Sequence, residues 1–137
     1  MAGVTILALD VGSSSVKAAI LRGADVRGKI QQCPFPTSYD GVRAEVNAND
    51  VFRAVIRAVR ALGKPARAID CIALATMSPS WVAIDRKGRT ITPIVTHQDR
   101  RSVDVARNLE RALGKQRLLR LSGNRPFPGS ISSTTAA

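Results

Sequence analysis

Aromatic residues are scarce: three Phe, one Tyr and one Trp make up 4% of 137 residues. Core packing must therefore rest on Val, Ile, Leu and Ala, and there is no series of rings for nucleic-acid bases to stack on. Histidine occurs once, at His97, and cysteine twice, at Cys33 and Cys71. One imidazole and two isolated thiols do not assemble a four-ligand zinc site, and reduced, inert thiols are expected, Cys71 in a strand core. No apolar run approaches the roughly 20 residues of a membrane span. The opening MAGVTILALDVG lacks a cationic leader and is interrupted by Asp10, so neither a signal peptide nor an anchor is expected and the cytoplasm follows by elimination. A GxxxxGK[ST] loop is also missing, which removes the P-loop nucleotide-binding class.

Positive charge is abundant. Lys and Arg number 21 against 10 Asp and Glu, a net charge of +11. That balance raises a second reading, a small basic module binding nucleic acid or another polyanion without catalysis. The cations are dispersed, however. The densest stretches, Arg100-Arg101 and Lys115 to Arg120, are short, so incidental stickiness toward polyanions is expected and no specific nucleic-acid partner. With 45% hydrophobic and 23% charged residues the composition is that of an ordinary globular chain, at a length of about one domain.

Periodicity supplies the elements. Val4 to Leu9 is an apolar, β-branched run, and Val16 to Leu21 is a second. They are too close for a crossover helix, so they predict an antiparallel hairpin. Gly23 to Gly28 reads as a turn, Lys29 to Phe35 as a third strand, and Pro36 to Asn49 as loop. Val51, Phe52, Val55, Ile56, Val59 and Leu62 recur at helical spacing opposite a solvated face of Arg53, Arg57 and Arg60. Asn47 or Asn49 caps this helix, and Gly63 with Pro65 ends it. Ile69 to Thr76 predicts a buried strand. Trp81 to Asp85 and Thr90 to Thr96 predict a hairpin about Arg86-Lys87-Gly88-Arg89. A helix from Val103 to Leu113, capped by Ser102 and stopped by Gly114, precedes a shorter one at Lys115 to Leu121, and residues 123–137 read as an irregular tail. Strands interleaved with helices imply an α/β protein with a mixed sheet.

The chemistry concentrates in Leu7-Ala8-Leu9-Asp10-Val11-Gly12-Ser13-Ser14-Ser15-Val16-Lys17. An acid ends a strand, a Gly and a hydroxyl run make the turn, and a cation follows. Gly12 permits close approach of a bulky anion, turn N–H groups and the Ser13, Ser14 and Ser15 hydroxyls donate, and Lys17 adds a point charge. Asp10 repels phosphate by itself, so its expected task is to hold Mg2+ that bridges to a nucleotide.

The stretch LALDVGSSSVKAAIL resembles the opening phosphate-binding hairpin of the FGGY carbohydrate kinases (the family of xylulokinase, gluconokinase and glycerol kinase), within the actin-like ATPase, ribonuclease H-like superfamily. Gly41-Val42-Arg43-Ala44-Glu45 with the helix after Asn47 resembles that family's Gly-x-x-Glu loop and first helix. IDCIALATMSPSWVAIDRKGRTITPIVTHQDRRS resembles its strand, substrate-side turn, hairpin and Trp-x-Asp-x-Arg segment, and SGNRPFPGSISSTT resembles the Thr-Gly…Pro stretch that follows. Four matches in one order cover nearly the whole chain.

The resemblance implies an actin-like fold and, in the intact enzyme, ATP-dependent and Mg2+-dependent phosphorylation of a sugar or polyol hydroxyl, with a homodimer possible. Residues 1–137 correspond to the first part of the N-terminal domain. The family's catalytic aspartate, second phosphate loop and adenosine motif have no counterpart here, so the chain is expected to be a truncated piece, inactive by itself and with no catalytic residue of its own. Asp10, Gly12, Ser13, Ser14, Ser15 and Lys17 take the nucleotide and metal roles, with Asp10 on the metal. Met77, Ser78, Asp99 and Arg101 fall on the substrate side. Pro79 offers no polar side chain there. His97 stands where the family has tryptophan and is expected to be a satisfied packing residue, and Glu45 organises its loop.

Overall fold

The computed structural model describes residues 3–124, with seven strands and three α-helices: β1 (Thr5–Val11), β2 (Ser15–Arg22), β3 (Asp25–Pro34), β4 (Ser38–Asp40), β5 (Arg43–Val46), α1 (Ala48–Ala61), β6 (Cys71–Thr76), β7 (Ile94–Val95), α2 (Val103–Leu113) and α3 (Lys115–Ser122). The expected irregular tail lies, beyond Asn124, outside the described residues. Two compact units emerge.

The first unit takes the chain up to Pro36 and Ala48–Met77. Its four-stranded sheet has the order β3-β2-β1-β6. β1 and β2 form the expected antiparallel hairpin, pairing Leu7 with Ile20 and Asp10 with Lys17, whereas β1 and β6 run parallel, so the sheet is mixed. Leu7, Val16, Ala18 and Ile20 share one face by this register and are buried, with α1 packed on β2 and β3. Burying one such Ile side chain is worth about 1.5–3 kcal/mol. The helix seats itself through Val51, Ala54 and Ala58, the two alanines fully covered. Phe52, expected on the inner face, is 64% exposed. Small residues at i, i+3 and i+7 let the helix lie close to the strands, and that seam turns Phe52 outward.

Two further expectations change here. The turn after β2 is confined to Gly23 and Ala24, because β3 begins at Asp25 and accommodates Gly28 at φ 81° beside a register shift between Ala18 and Ile20. β6 is a strand but not a buried one. All six of its residues are exposed, Cys71 among them, because β1 is its single neighbour and it lies at the sheet's edge. Its start is fixed by the Thr5 N–H donating to Asp70 Oδ2 at 2.7 Å and the Asp70 N–H donating to Thr5 O at 2.9 Å.

The second unit takes Thr37–Asn47 and the chain from Ser78 onward. Its small sheet has the order β4-β5-β7, all antiparallel. The hairpin β4–β5 occupies a stretch read from sequence as loop; Ala44 and Val46 of β5 are its buried positions. The expected hairpin about residues 86–89 keeps its turn, where the Gly88 N–H donates to Asp85 O, but its arms meet only at isolated Trp81–Val95 and Ile84–Thr90 bridges. α2 spans the expected residues and stops at Gly114. Ser102 occupies its N-cap position without making a capping bond, so the expected side-chain cap is absent.

Candidate functional site

In the first unit, the ladder between β1 and β2 brings Asp10 and Lys17 directly opposite one another at the end of the hairpin. Nζ of Lys17 lies 3.5 Å from Oδ2 of Asp10, and each side chain is about half exposed. The turn between them is closed by the Gly12 N–H donating to Ser15 O at 3.0 Å. A Cβ added at Gly12 would stand 3.3 Å from that same carbonyl, a tight contact that the turn relieves only by giving way a few tenths of an ångström, while its backbone angle makes no demand for glycine. Ser14 is exposed, and its carbonyl accepts from the Phe35 N–H. Ser15 is buried, and its hydroxyl accepts from Gln32 Nε2 at 3.0 Å, so this hydroxyl shapes the turn. Ser13 is half-buried in the same turn.

A groove of about 410 Å3 runs from this acid–base pair along the sheet. Ala8, Ala19, Ala73 and Ala75 line it, with Asp10 and Lys17 at its polar end. The register puts these six residues on the face opposite Leu7 and Ile20. Small side chains therefore keep the approach to Asp10 open. Among the described residues no three His, Cys, Asp or Glu side chains gather as a metal cage. A single half-solvated carboxylate fits Mg2+ shared with a phosphate, because this ion keeps several waters and takes few protein ligands.

Met77 ends the first unit half-buried, with its N–H donating to Val11 O at 2.8 Å. Ser78 is exposed and joined to Pro79 by a cis peptide bond.

In the second unit, Asp99 and Arg101 are brought together with Glu45. Asp99 is fully buried. Its Oδ2 accepts from the Ala44 N–H at 2.9 Å and from Arg101 Nη2 at 2.8 Å, while Oδ1 accepts from the Arg101 N–H and Nε. Arg101 also donates to Glu45 Oε1. Burial opposes ionisation of Asp99, but the hydrogen bonds from Arg101 and from the Ala44 N–H outweigh it and hold its carboxyl below the usual range. The same contact with Asp99 raises Arg101 above the ordinary guanidinium value. Thr96 completes the clasp, its N–H and Oγ1 both donating to Ala44 O. With every oxygen engaged inside, Asp99 acts as a brace for the 96–101 turn, and Glu45 ties that turn to β5.

Residues 5–134 match the N-terminal domain of the FGGY family of carbohydrate kinases. The chain belongs to this family. It is 28% identical over 127 residues to the gluconokinase of Bacillus subtilis, a match covering 90% of this chain and 25% of that protein. Its structure is similar to a xyloylose kinase from Brucella ovis, at 26% identity and a TM-score of 0.83, covering 93% of this chain and 27% of that one. The fold is shared with the Plasmodium falciparum glycerol kinase solved with ADP, at 13% identity and a TM-score of 0.86 over 97% of this chain and 28% of that one. The chain thus spans about a quarter of the length of these FGGY relatives, and its α/β architecture is the actin-like ATPase fold of the family. No helix among the described residues is long and apolar enough to cross a membrane.

One feature, a set of buried polar atoms without partners, was not expected from the sequence. His97 was expected to be a satisfied packing residue, yet its buried Nδ1 has no hydrogen-bond partner, and Ser80 Oγ, Trp81 Nε1 and Ser102 Oγ share that state. No local pattern signals this, since Trp81 reads as the start of a strand and Ser102 as a helix cap.

Proposed function

We propose that this chain supplies the phosphate- and metal-gripping portion of an ATP-dependent kinase that phosphorylates a hydroxyl of a sugar or polyol. The observation that carries the reading is the cross-strand Asp10–Lys17 pair flanking a Gly-pinched serine turn at the mouth of an open groove. Opposite charges 3.5 Å apart and half in water gain little from each other, so both remain available to a ligand. Lys17 meets phosphate oxygens as a point charge, and Ser13 and Ser14 donate from the turn. Asp10 orients Mg2+ through its carboxylate, directly or through water. When bound, that ion neutralises charge on the phosphates during transfer.

On the substrate side, the exposed Ser78 presents a hydroxyl suited to a sugar hydroxyl, and Met77 supplies an apolar neighbour in sequence. Asp99 and Arg101 serve the same side by holding the 96–101 turn, not by touching the sugar. Catalytic proton removal is assigned to no residue of this chain. In the whole enzyme, work at the reacting hydroxyl falls to portions of the protein that this chain does not span. A homodimer and a cytoplasmic location belong to the same proposal.

The test is a titration of the 15N-labelled chain with ATP at fixed, saturating and zero Mg2+. Amide shifts confined to Gly12 through Lys17, larger with Mg2+ and reduced to the Mg2+-free level by Asp10→Asn, support the reading. Shifts of equal size in Asp10→Asn remove the metal role.

A further inference from the structure

The first unit holds a second cavity, of about 320 Å3, lined by Thr5, Ile20, Arg22, Arg27, Pro65 and Ala68. Strand register explains the gathering. Thr5 pairs with Arg22 between β1 and β2, and Ile20 pairs with Arg27 between β2 and β3. Ile20 and Arg22 are two residues apart, so these four side chains stand on one face, the face opposite Asp10 and Lys17. Thr5 also lies five residues along β1 from Asp10, roughly 17 Å at about 3.3 Å per residue. The cavity is therefore separate from the nucleotide groove. α1 ends at Ala61, and the short 3-10 helix Lys64–Arg67 brings Pro65 and Ala68 to the cavity. That segment is pinned at both ends, the Ala66 N–H donating to Gly63 O and the Asp70 N–H to Thr5 O.

The charges here are less committed than elsewhere. Arg53, Arg89, Arg101 and Arg107 each hold an acid. Among the described residues Arg22 has no ion pair, and neither have Lys64 and Arg67 on the segment beside it. Arg27 meets Asp25 at 3.3 Å with both side chains more than half exposed, a loose pair that a stronger anion displaces. The other carboxylate nearby, Asp70, accepts from the Thr5 N–H, which leaves the Thr5 hydroxyl for a ligand. Two guanidiniums and a hydroxyl thus border a floor of Ile20, which is 3% exposed, and walls of Pro65 and Ala68. The volume falls at the low end of ligand pockets, about 300–1,000 Å3, and suits a compact molecule.

We propose that this cavity binds a small phosphate monoester, with the phosphate between Arg22 and Arg27 and within reach of the Thr5 hydroxyl, and the carbon skeleton on Ile20, Pro65 and Ala68. A phosphate monoester carries a charge of about −1.5 to −2 at pH 7 and three acceptor oxygens, enough to engage two guanidiniums at once. A monocarboxylate has one charge and one pair of oxygens, and it fills a single guanidinium fork. The apolar floor and walls favour an organic ester over the bare ion, because they cover its carbon atoms.

The experiment titrates the 15N-labelled full chain, at about physiological ionic strength, with glycerol 2-phosphate, inorganic phosphate, acetate and a short single-stranded DNA. It follows the amides of Thr5, Ile20, Arg22, Arg27 and Ala68 and the Nε–H signals of the two arginines. Glycerol 2-phosphate should shift them saturably, with inorganic phosphate weaker and acetate at least tenfold weaker. Arg22→Gln and Arg27→Gln remove exposed side chains, so the fold should persist while affinity falls at least fivefold in each. Arg86→Gln takes the same charge from the second unit and should leave affinity unchanged. An equal loss in Arg86→Gln overturns the proposal, since attraction to the net charge then accounts for binding. Acetate or inorganic phosphate binding as tightly as the ester overturns it too, as does DNA saturating these signals at a lower concentration of phosphate groups. Absent shifts, or shifts confined to Gly12 through Lys17, overturn it as well, the latter by placing the ester in the nucleotide groove.

Discussion

Arg101 reaches Glu45 across 56 residues of sequence while its Nε and Nη2 grip both oxygens of Asp99. One guanidinium thereby links β5 to the turn before α2. Removing it leaves a buried carboxylate whose remaining donors are backbone N–H groups of Ala44 and residue 101. Loss of one partner of a fully buried pair costs about 3–5 kcal/mol, and with Arg101 partly solvated about 2–3 kcal/mol is expected for Arg101→Ala. Urea denaturation of the two proteins measures the difference. Arg101→Lys should recover little of it, since an ammonium cannot reproduce the forked contact.

Acid acts on the same clasp. The Asp99 carboxyl is held below its ordinary range in the folded chain, so the unfolded state binds the proton more readily. Its contribution is fully present above the unfolded value of about 4 and is lost as pH falls through the lower folded value. Asp85, whose carboxyl is lowered chiefly by the Arg89 N–H and then by the Arg89 side chain, acts in the same direction. Stability followed by circular dichroism should be level from pH 7 to about 5 and should fall below about 4. Asp99→Asn should flatten that fall while lowering stability at neutral pH.

Asp10 and Lys17 should behave in the opposite manner. Their pair is exposed, so Asp10→Asn or Lys17→Met should change stability by less than about 1 kcal/mol. Affinity for ATP with Mg2+ should drop at least tenfold in either variant, read by calorimetry. A large loss of stability with unchanged affinity would make the pair structural.

The two edges of the larger sheet differ in protection. β3 carries Arg27, Lys29, Gly28 at a positive φ and the terminal Pro34, all features that discourage pairing with another chain. β6 reads CIALAT, with Ile72 61% and Leu74 63% exposed and no charge or proline. Association of the isolated chain through β6 is expected, and Leu74→Lys should lower light scattering on concentration without shifting the unfolding midpoint.

The net charge of +11 predicts weak, non-selective retention of DNA that disappears as salt is raised. Arg53 and Arg107 already engage Asp50 and Asp104. A gel shift with a defined site size surviving physiological salt would favour the nucleic-acid alternative.

Much of this was legible in the residues. The β1–β2 hairpin and the bounds of α2 follow from apolar spacing and from Gly114, because local period and a helix stop decide them. The β4–β5 hairpin was not, since three- and four-residue strands with Tyr39 exposed show no run long enough to count. The exposure of Cys71 and Phe52 depends on where α1 sits and on which strand ends the sheet, matters of tertiary placement that a one-dimensional pattern does not carry. For the site, the Asp10 to Lys17 stretch announced itself by composition. The unpaired atoms of Trp81, His97 and Ser102 became visible only with burial.

The parallel pairing of β1 with β6 also sets an order of events during synthesis. β1, β2 and β3 are consecutive and zip together through neighbours a few residues apart. The other flank of β1 must wait until Asp70, 65 residues after Thr5, has left the ribosome. Contacts of such long separation form late and slowly. At about 5–20 residues per second, the strand that completes the groove beside Asp10 emerges seconds after the serine turn has been made.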